Sequence, residues 1–477
     1  MDVFKNYING EWVEGQTETT NVNPSDHSDI VGHYAAGSQS DVLVAVEAAK
    51  AAQPLWWNKT PEQRADILDR AGAILLDRAS AIGTLLAREE GKALAEAAAE
   101  ANRAGRIFKY YAAEALRMAG ENIASTRPGI DVEITREPLG VIGLITPWNF
   151  PIAIPAWKAA PALACGNVVV LKPAGLTPGC AWEMAKALDE AGMPPGVFNL
   201  VMGSGGTVGD ALLESRDVAA ISFTGSVPTG YHIATKCVKS GKKVQMEMGG
   251  KNPLVVMDDA DLDHTIATCI NASFFATGQR CTAASRLIVQ DGIYDAFIEK
   301  MQTAMKNLRI GHALEDGTQI GPVASVPQLD SNLAYVALAR DEGAEVIGGE
   351  RLNRKTEGNF QAPALFLGAK NDMRVSREEI FGPCASVLRF SDFEEGVAIA
   401  NDTDFGLSSG ICTTSLKHAR EYKRRAKAGM VMVNLPTAGV DYHVPFGGTK
   451  ASSYGSREQG TYAAEFYTHV KTAYVLA

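Results

Sequence analysis

The sequence lacks the features that mark two large classes of protein. It has no excess of basic residues, since 45 Lys and Arg stand against 55 Asp and Glu, a formal charge of −10. Proteins that bind nucleic acid or anionic membranes carry a basic face, so neither partner is expected. The sequence also has no long apolar run. Its longest nearly apolar stretch, 159–171, contains Gly166 and Asn167 and is too short for a membrane span of about 20 residues.

Patterns of cysteine and histidine that indicate disulfides or metals are missing as well. The seven cysteines are an odd number without a C-x-x-C pair, at positions 165, 180, 237, 269, 281, 384 and 412. None of the eight histidines falls at ligand spacing from a cysteine, so no metal site is expected. The first residues lack the charged start and apolar run of a signal peptide. A reducing cytoplasm is therefore the predicted compartment.

The length of the chain and its alternation of apolar and helical segments are typical of a multidomain α/β protein. Its 477 residues exceed what one core supports, so two large domains and a smaller part are expected. Continuous apolar runs at 141–145 and 168–172 predict buried strands, and their alternation with helical segments predicts parallel sheets. Helices are predicted over 40–53, 61–89, 92–118, 181–191 and 208–213.

One cysteine stands in a setting that suits chemistry. Residues 277–282 place Cys281 among small and polar residues, directly after the cation Arg280. A thiol attacks carbon only as thiolate, so a nucleophilic cysteine needs a lowered pKa and an exposed, non-apolar surrounding. A cysteine taken alone is more commonly a small core residue. Other segments must therefore decide its role.

Three other segments supply groups that such a cysteine would use. Glu247 lies 34 residues before Cys281 and is followed by a Gly-Gly turn that can hold a general base in a cleft. Asn149, in the proline-stiffened loop 146–151, can point its amide at a developing oxyanion. An acidic and aromatic turn follows at 378–383. Each alone also fits a surface carboxylate or an ordinary turn. Together, and in this order, they resemble the NAD(P)-dependent aldehyde dehydrogenase superfamily over essentially the whole chain.

That resemblance implies a fold class and a division of the chain. The class is α/β, with two Rossmann-like parallel-sheet domains, one for the cofactor and one for catalysis, plus a small β oligomerisation arm. The implied segments are 1–122 and 142–249 for the dinucleotide-binding domain with 441–460 returning to it, 250–440 for the catalytic domain, and 123–141 with 461–477 for the arm.

The arm also implies a partner. Residues alternate between polar and apolar at 131–137 and 468–477, which predicts two half-exposed strands far apart in the sequence. An open sheet edge of this kind is a liability in a monomer. A homodimer or homotetramer with two-fold interfaces is therefore expected.

The resemblance implies a mechanism too. Cys281 adds to the aldehyde carbon, the Asn149 amide and the backbone N–H of Cys281 stabilise the oxyanion, and hydride transfer leaves a thioester. Glu247 then activates water for hydrolysis, and a base at this position favours a free acid over transfer to coenzyme A. Lys158 and Glu458 match positions that support the site and relay protons. A structural ion pair is the equal alternative for these two residues.

Cofactor binding is implied rather than derived, because both glycine motifs are imperfect. In 203–209, Val208 stands where a Rossmann fingerprint has its third glycine. In 223–230 the glycine spacing is near that of a P-loop, but the Lys-Ser/Thr pair that should follow is missing. By resemblance, 223–230 carries the pyrophosphate near a helix N-terminus. The implied cofactor-binding residues are Ile145, Thr146, Pro147, Trp148, Lys172, Ala174, Gly175, Gly205, Gly209, Phe223, Thr224, Gly225, Ser226, Met248, Gly249, Glu379 and Phe381.

Three of these have implied tasks. Lys172 contacts the adenosine ribose, Glu379 contacts the nicotinamide ribose, and Phe381 holds the nicotinamide ring. Many NAD-preferring relatives also carry a glutamate just beyond Lys-Pro-Ala, where this chain has Gly175. Without that carboxylate, a 2′-phosphate meets no like-charge repulsion. NADP is therefore predicted to be tolerated, or preferred over NAD.

The aldehyde is the least determined part. Arg280 could bind a substrate carboxylate through two hydrogen bonds. It could equally lower the pKa of Cys281 or pack as a structural cation. Aromatic residues that could wall a narrow channel, or equally pack in a core, are Phe150, Trp157, Phe275 and Phe446.

Two segments narrow the substrate by resemblance. Residues 433–448 and 465–472 are similar to the α-ketoglutaric semialdehyde dehydrogenase branch, which oxidises 2,5-dioxopentanoate in bacterial sugar-acid and hydroxyproline breakdown. Succinate semialdehyde, or a broad range of aliphatic and aromatic aldehydes, is the alternative. A cysteine hydrolase would need a histidine that the matched motifs lack apart from His443. A non-catalytic relative should have lost Cys281, Glu247 or Asn149, and all three are present.

Overall fold

The protein is described from a computed structural model over residues 3–476, so that Met1, Asp2 and Ala477 lie outside the described residues. Helices α1 and α2 begin as their sequences direct. Ser38 and Thr60 each accept a hydrogen bond from the third helical residue, whose side chain returns one. The helices are α1 (Gln39–Trp57), α2 (Pro61–Asp77), α3 (Ala79–Glu90), α4 (Leu94–Ala115), α5 (Ala153–Ala164), α6 (Pro178–Glu190), α7 (Asp210–Glu214), α8 (Val227–Lys239), α9 (Leu262–Phe274), α10 (Tyr294–Lys306), α11 (Val326–Asp341), α12 (Arg374–Arg377), α13 (Phe393–Asn401), α14 (Leu416–Arg425) and α15 (Ala463–Tyr467).

The strands are rich in β-branched residues where they are buried, as a covered sheet requires. They are β1 (Val3–Phe4), β2 (Asn6–Ile8), β3 (Glu11–Val13), β4 (Thr17–Val22), β5 (Ile30–Ala36), β6 (Glu121–Ala124), β7 (Ile130–Pro138), β8 (Val141–Ile145), β9 (Val168–Lys172), β10 (Phe198–Leu200), β11 (Val218–Thr224), β12 (Lys243–Glu247), β13 (Asn252–Val256), β14 (Ala284–Gln290), β15 (Glu345–Gly348), β16 (Ala364–Leu367), β17 (Cys384–Phe390), β18 (Phe405–Gly406), β19 (Ser408–Cys412), β20 (Met430–Val433), β21 (Thr449–Lys450), β22 (Ser453–Tyr454) and β23 (Thr468–Leu476).

Two large sheets organise the chain. The first, with order β22-β12-β11-β8-β9-β10-β2-β3, is parallel from β12 to β10 and antiparallel at both flanks. The second, with order β15-β16-β17-β14-β13-β19-β20, is parallel except at β15. Strands β8, β9 and β13 are buried along their whole length, because helices cover both faces. The predicted α/β class with parallel sheets is confirmed.

A separate antiparallel sheet, with order β23-β7-β6, joins chain segments far apart in the sequence. The pairing of β23 with β7 runs from Thr468 opposite Pro138 to Leu476 opposite Ile130. Both predicted strands, 131–137 and 468–477, are therefore present up to the last described residue. Large apolar side chains exposed on this sheet are Ile123, Val470, Tyr474, Val475 and Leu476.

The predicted single helix over 61–89 is wrong. Helix α2 ends at Asp77, and Arg78 has non-helical angles (φ −93°, ψ 4°) before α3 begins. Both helices pack on α4, and Gly83 of α3 comes so near Ala98 that a Cβ atom would lie 2.7 Å from its Cα. One straight helix cannot keep both contacts, so the bend at Arg78 follows from packing rather than from local propensity.

The predicted helix at 208–213 is displaced. Residues Gly205–Gly209 form a π-helical turn capped by Ser204, whose hydroxyl accepts from the Thr207 N–H, and α7 begins only at Asp210. Glycine is a poor helix former, which explains the wider turn.

No helix within residues 3–476 is both long and apolar enough to cross a membrane. Over the same range, no group of three or more His, Cys, Asp and Glu side chains is placed to hold a metal ion. The seven cysteines all lie among the described residues, and all are free thiols. Six of them are buried, and Cys281 is the one that is partly exposed.

Candidate active site

The site begins at the carboxyl ends of the central strands of the first sheet. Glu247 ends β12 opposite Thr224 at the end of β11, and Ile145 ends β8 opposite Lys172 at the end of β9. Phe223 pairs with Ile145, so the strand ends lie side by side along one edge. In open parallel sheets, ligands bind in the crevice outside this edge.

The short crossing between β12 and β13 contacts the backbone at Cys281, so Cys281 lies near the same edge. Gly250, in this crossing, lies so close to Cys281 that a Cβ atom would stand 2.7 Å from the Cys281 carbonyl oxygen. The Asn252 side-chain amide donates hydrogen bonds to the carbonyls of Cys281 (2.7 Å) and Ala283 (2.9 Å). The backbone at Cys281 is therefore tied to the start of β13.

The turn before Cys281 has an unusual backbone. Ala276, Thr277 and Gly278 have φ values of 50°, 57° and 65°. A Cβ atom at Gly278 would lie 2.2 Å from the Gly382 carbonyl oxygen, so this position requires glycine. The Thr277 hydroxyl donates to the Gly321 carbonyl (3.1 Å). Left-handed backbone at non-glycine residues persists only where its surroundings hold it in place, and it clusters at functional sites.

Asn149 is joined to the same loop. Its side-chain Nδ2 donates to the Gln279 carbonyl at 3.0 Å, two residues before Cys281. Its own backbone carbonyl accepts from Lys92 Nζ at 2.6 Å. A side-chain amide carries two N–H donors. One N–H of Asn149 is thus committed to the loop, and the second is available to an oxyanion.

Glu247 is a buried carboxylate that accepts a hydrogen bond from a neighbouring side chain. The Ser453 hydroxyl, on the paired strand β22, donates to Glu247 Oε2 at 2.5 Å. Burial raises the pKa of Glu247 well above its usual range, and the charge of Glu458 raises it further. A carboxylate whose pKa is raised in this way can accept a proton near neutral pH, which is the property of a general base.

The sequence predicted a lowered pKa for the Cys281 thiol, but its surroundings raise that pKa. Burial raises the pKa of Cys281 to about 12, and the carboxylates of Glu379 and Glu247 contribute to the rise. The expected lowering of this pKa is therefore wrong for the protein alone. The physical reason is that burial removes the sulfur from water, which disfavours the charged thiolate, and that the charged neighbours with the largest effect are two carboxylates.

Lys158 and Glu458 form a buried ion pair between α5 and the segment after β22. Glu458 Oε2 also accepts from Trp157 Nε1 at 2.8 Å, and Lys158 Nζ donates to the Ser222 hydroxyl at 2.8 Å. The structural pair predicted as one alternative exists. Since the charge of Glu458 also raises the pKa of Glu247, the pair is electrostatically connected to the site.

The crevice offers polar groups that a dinucleotide would use. The buried hydroxyls of Thr146 and Thr224 have no hydrogen-bond partner among residues 3–476. Lys172 Nζ donates to the Pro173 carbonyl (3.0 Å), and burial lowers the pKa of Lys172 to about 8. Ser226 stands at the N-cap of α8. Unpaired donors beside a helix N-terminus fit ribose hydroxyls and a pyrophosphate.

Glu379 and Phe381 lie at the other end of the crevice. Glu379 Oε1 accepts from the Gly250 N–H at 2.9 Å, and burial raises the pKa of Glu379 to about 7. Phe381 has a positive φ of 61°, and its ring meets Trp148 edge-on at 5.4 Å. A Cβ atom on Gly249 would collide with the Glu379 carboxylate, so this glycine allows the close approach.

The remaining predicted cofactor residues lie in loops at the strand ends: Pro147 after β8, Ala174 and Gly175 after β9, Gly205 and Gly209 around the π-helical turn, Gly225 before α8, and Met248 after β12. An added Cβ at Gly175, Gly205 or Gly209 would meet open space. These three glycines therefore leave room beside the crevice, and none is required by a close contact.

A cavity of about 420 Å³ opens on Cys281. Phe150, Trp157 and Phe446 line it, and the Trp157 and Phe446 rings lie 5.4 Å apart. Phe275 is not part of the lining, because it packs against the core of the second sheet. Core packing, the alternative for each aromatic residue, is thus correct for this one.

Arg280 lines the cavity as well, but its guanidinium is ion-paired with Glu96. This pair opposes a second two-point pairing with a substrate carboxylate. The main groups that shift the pKa of Cys281 do not include Arg280. These contacts favour the remaining interpretation, a structural cation, and the assignment of Arg280 to a substrate carboxylate stays a prediction.

Sequence reasoning missed one wall of the cavity. This wall is formed by α4 and the residues just before it, through the side chains of Lys92, Glu96, Glu100 and Arg103. Gln459, next to Glu458 in the chain, also lines the cavity. A signal existed in the Ala-rich helix. Positions 96, 100 and 103 share one helical face, and a charged face on an otherwise small-residue helix indicates a polar surrounding.

Comparison with known proteins identifies the family. Residues 12–473 of the chain match the sequence model of the aldehyde dehydrogenase family. The chain belongs to this family. Alpha-ketoglutarate semialdehyde dehydrogenase of Haloferax volcanii is 43% identical, covering 99% of this chain and 99% of that protein.

Solved structures agree with this aldehyde dehydrogenase fold. An Escherichia coli NADP-dependent enzyme superposes with a TM-score of 0.96 at 36% identity, covering 99% of this chain and 98% of the other. An NAD-dependent aldehyde dehydrogenase from Sinorhizobium meliloti gives 0.97 at 34% identity, covering 100% and 95%. The family resemblance stated from the sequence is confirmed. The protein is an NAD(P)-dependent aldehyde dehydrogenase, and both cofactors occur among proteins of this fold.

The raised pKa of Cys281 predicts how its thiol reacts in the absence of cofactor. The rate of alkylation by iodoacetamide should rise about tenfold per pH unit from pH 7, with no plateau below pH 10, because it follows the thiolate fraction. Glu379→Gln should accelerate alkylation at pH 9. Glu379 is ionised at that pH, so its removal relieves a charge that opposes the thiolate.

Mass spectrometry of the alkylated peptide checks both expectations. Glu378→Gln is the matched control, because Glu378 is paired with Arg374 and does not contribute to the raised pKa of Cys281. A plateau near pH 8, or equal rates in the two variants, would contradict the electrostatic account.

Proposed function

We propose that this aldehyde dehydrogenase oxidises a carboxylated semialdehyde, with 2,5-dioxopentanoate as the best candidate, to the free acid. The observation that carries the substrate class is the charge of the cavity beside Cys281. Three cationic side chains line it against two carboxylates. Lys92 pairs with Glu100, and Arg280 pairs with Glu96. One positive charge therefore remains, which favours an anionic substrate. The name of the Haloferax volcanii relative supports the same class.

Cys281 performs the covalent step. Its sulfur forms a bond to the aldehyde carbon, and the thiol proton leaves to Glu247, whose raised pKa suits a proton acceptor. The carbonyl oxygen becomes an oxyanion. The free N–H of Asn149 and the backbone N–H of Cys281 stabilise this charge, and loss of one such donor typically costs about 3 kcal/mol of barrier.

Hydrolysis completes the reaction. Bound NAD(P)⁺ supplies the acceptor for the hydride that leaves the carbon. Lys172, Ser226 and Glu379 are the residues that would hold it, with the unpaired hydroxyls of Thr146 and Thr224. Glu247 first releases the thiol proton toward solvent and becomes a carboxylate again. It then takes a proton from water as the water attacks the Cys281 thioester, the C–S bond breaks, and the acid leaves. The buried pair beside Glu247 can take part in moving that proton onward.

The test is formation of reduced cofactor with 2,5-dioxopentanoate, succinate semialdehyde, propanal and benzaldehyde. The dioxo acid should have the highest kcat/KM. Glu247→Gln should lower turnover of every aldehyde about 100-fold or more, because the amide accepts no proton. The wild-type rate should fall as pH falls through the raised pKa of Glu247, since protonation disables the base, and the variant should lose this dependence.

Glu345→Gln, on the exposed edge strand β15, is the control and should keep full activity. Equal or higher rates with propanal and benzaldehyde would sink the semialdehyde assignment. A Glu247→Gln enzyme with unchanged pH dependence would remove the base from its assigned role.

The cofactor preference rests on Gly175, which is exposed and leaves open space for a side chain. We expect NADP to be used at least as well as NAD. Gly175→Glu should lower kcat/KM for NADP about tenfold or more through like-charge repulsion, and change that for NAD much less. Gly175→Gln adds the same bulk without charge. If it reproduces the loss, bulk and not charge is responsible.

We also propose a homodimer or homotetramer formed through the sheet of β6, β7 and β23. Its exposed apolar side chains, including Tyr474 and Leu476, and its open edges support this assembly. Sedimentation equilibrium should give the mass of two or four chains. Replacing Val470 and Tyr474 by lysine should shift it toward smaller species. A monomeric wild type would refute the proposal.

A further inference from the structure

Arg103 is the cation of the cavity that remains without a partner. It makes no hydrogen bond or ion pair with any residue in the range 3–476, and its buried Nε is unsatisfied. Glu100 and Asp441 act on it electrostatically, from beyond ion-pair distance. A guanidinium that lines a cavity in this condition can bind a carboxylate through two parallel hydrogen bonds.

Gln459 is a second unpaired group in the same lining. Its side chain is fully buried, and neither its amide nitrogen nor its amide oxygen has a partner among the described residues. Its backbone is in the left-handed region, with φ at 62°. Buried amides without partners are rare in folded proteins, so a group that completes this one is expected. Because Gln459 lines the cavity, a ligand there can supply that group.

The two groups belong to one region of the cavity. Tyr442 is among the ionisable neighbours of Arg103, and its carbonyl accepts from the Gly460 N–H at 3.2 Å. Tyr111, two turns along α4 from Arg103, donates its hydroxyl to the Gly460 carbonyl at 3.1 Å. The segment that carries Gln459 is therefore bound to the same elements that position Arg103.

We propose that Arg103 binds the substrate carboxylate and that the Gln459 amide donates to the adjacent 2-oxo oxygen, while the aldehyde lies at Cys281. This assignment rests on the proposed function, since it takes oxidation of an aldehyde at Cys281 as given. It replaces Arg280, which is committed to Glu96. It also explains selectivity, because an aldehyde without these groups leaves both side chains unpaired.

Three aldehydes of equal chain length separate the two contacts. Pentanal has neither group, 5-oxopentanoate adds the carboxylate, and 2,5-dioxopentanoate adds the 2-oxo oxygen as well. The measurement is kcat and KM for each aldehyde with the full chain and saturating cofactor. Inhibition by 2-oxoglutarate, the product of the last substrate, reports on the same contacts without turnover.

Arg103→Met should lower kcat/KM for both carboxylated aldehydes by about 10- to 100-fold and weaken 2-oxoglutarate inhibition similarly, while pentanal changes by less than about twofold. Arg103→Lys should restore part of the loss. Gln459→Leu should lower kcat/KM for 2,5-dioxopentanoate about tenfold relative to 5-oxopentanoate. Arg106→Met, on the exposed face of the same helix, is the control and should behave as wild type.

The outcomes distinguish the two proposals. If wild type prefers pentanal, the proposed substrate class itself fails. If wild type prefers the dioxo acid but Arg103→Met loses all three substrates equally, or none, the assignment of Arg103 is overturned. A selective loss in Arg280→Met with none in Arg103→Met would return the carboxylate to Arg280. An unchanged preference for the 2-oxo group in Gln459→Leu would overturn the second contact.

Discussion

The site depends on one close approach between backbones, at the crossing from the first large sheet to the second. Gly249 and Gly250 leave no room for a Cβ atom, because Glu379 and the Cys281 carbonyl occupy those positions. Glu247 lies on one side of the crossing, at the end of β12, and the Asn252 amide holds Cys281 on the other side. A carboxylate at the end of one sheet and a thiol in the turn before β14 are therefore held near each other by a segment of a few residues.

This approach has an electrostatic consequence. Burial of the sulfur, with the nearby carboxylates of Glu379 and Glu247, raises the pKa of the Cys281 thiol and so favours the protonated form. Slow alkylation of this thiol is therefore expected at neutral pH. Any positive charge brought beside it acts in the opposite direction and favours the thiolate.

Prediction from the sequence succeeded where local pattern and chemistry coincide. Apolar runs identified β8 and β9, and the predicted start of a helix at residue 61 agrees with α2. The fold class and the family are confirmed by comparison with known proteins. Prediction failed where distant contacts decide. The helix ends at Arg78 because α2 and α3 both pack on α4, and Phe275 turns into the core of the second sheet.

The sequence by itself determined which chemical groups the protein has and the order in which parallel strands and helices present them. The tertiary structure alone decided which charges neutralise one another. Arg280 directly precedes Cys281 in the chain, yet its guanidinium pairs with Glu96 on α4. Arg103, remote in sequence, lines the cavity and has no partner among residues 3–476. The physical reason is that an ion pair depends on how far a long side chain reaches and on which helix is packed against it. The spacing of residues along the chain encodes neither of these.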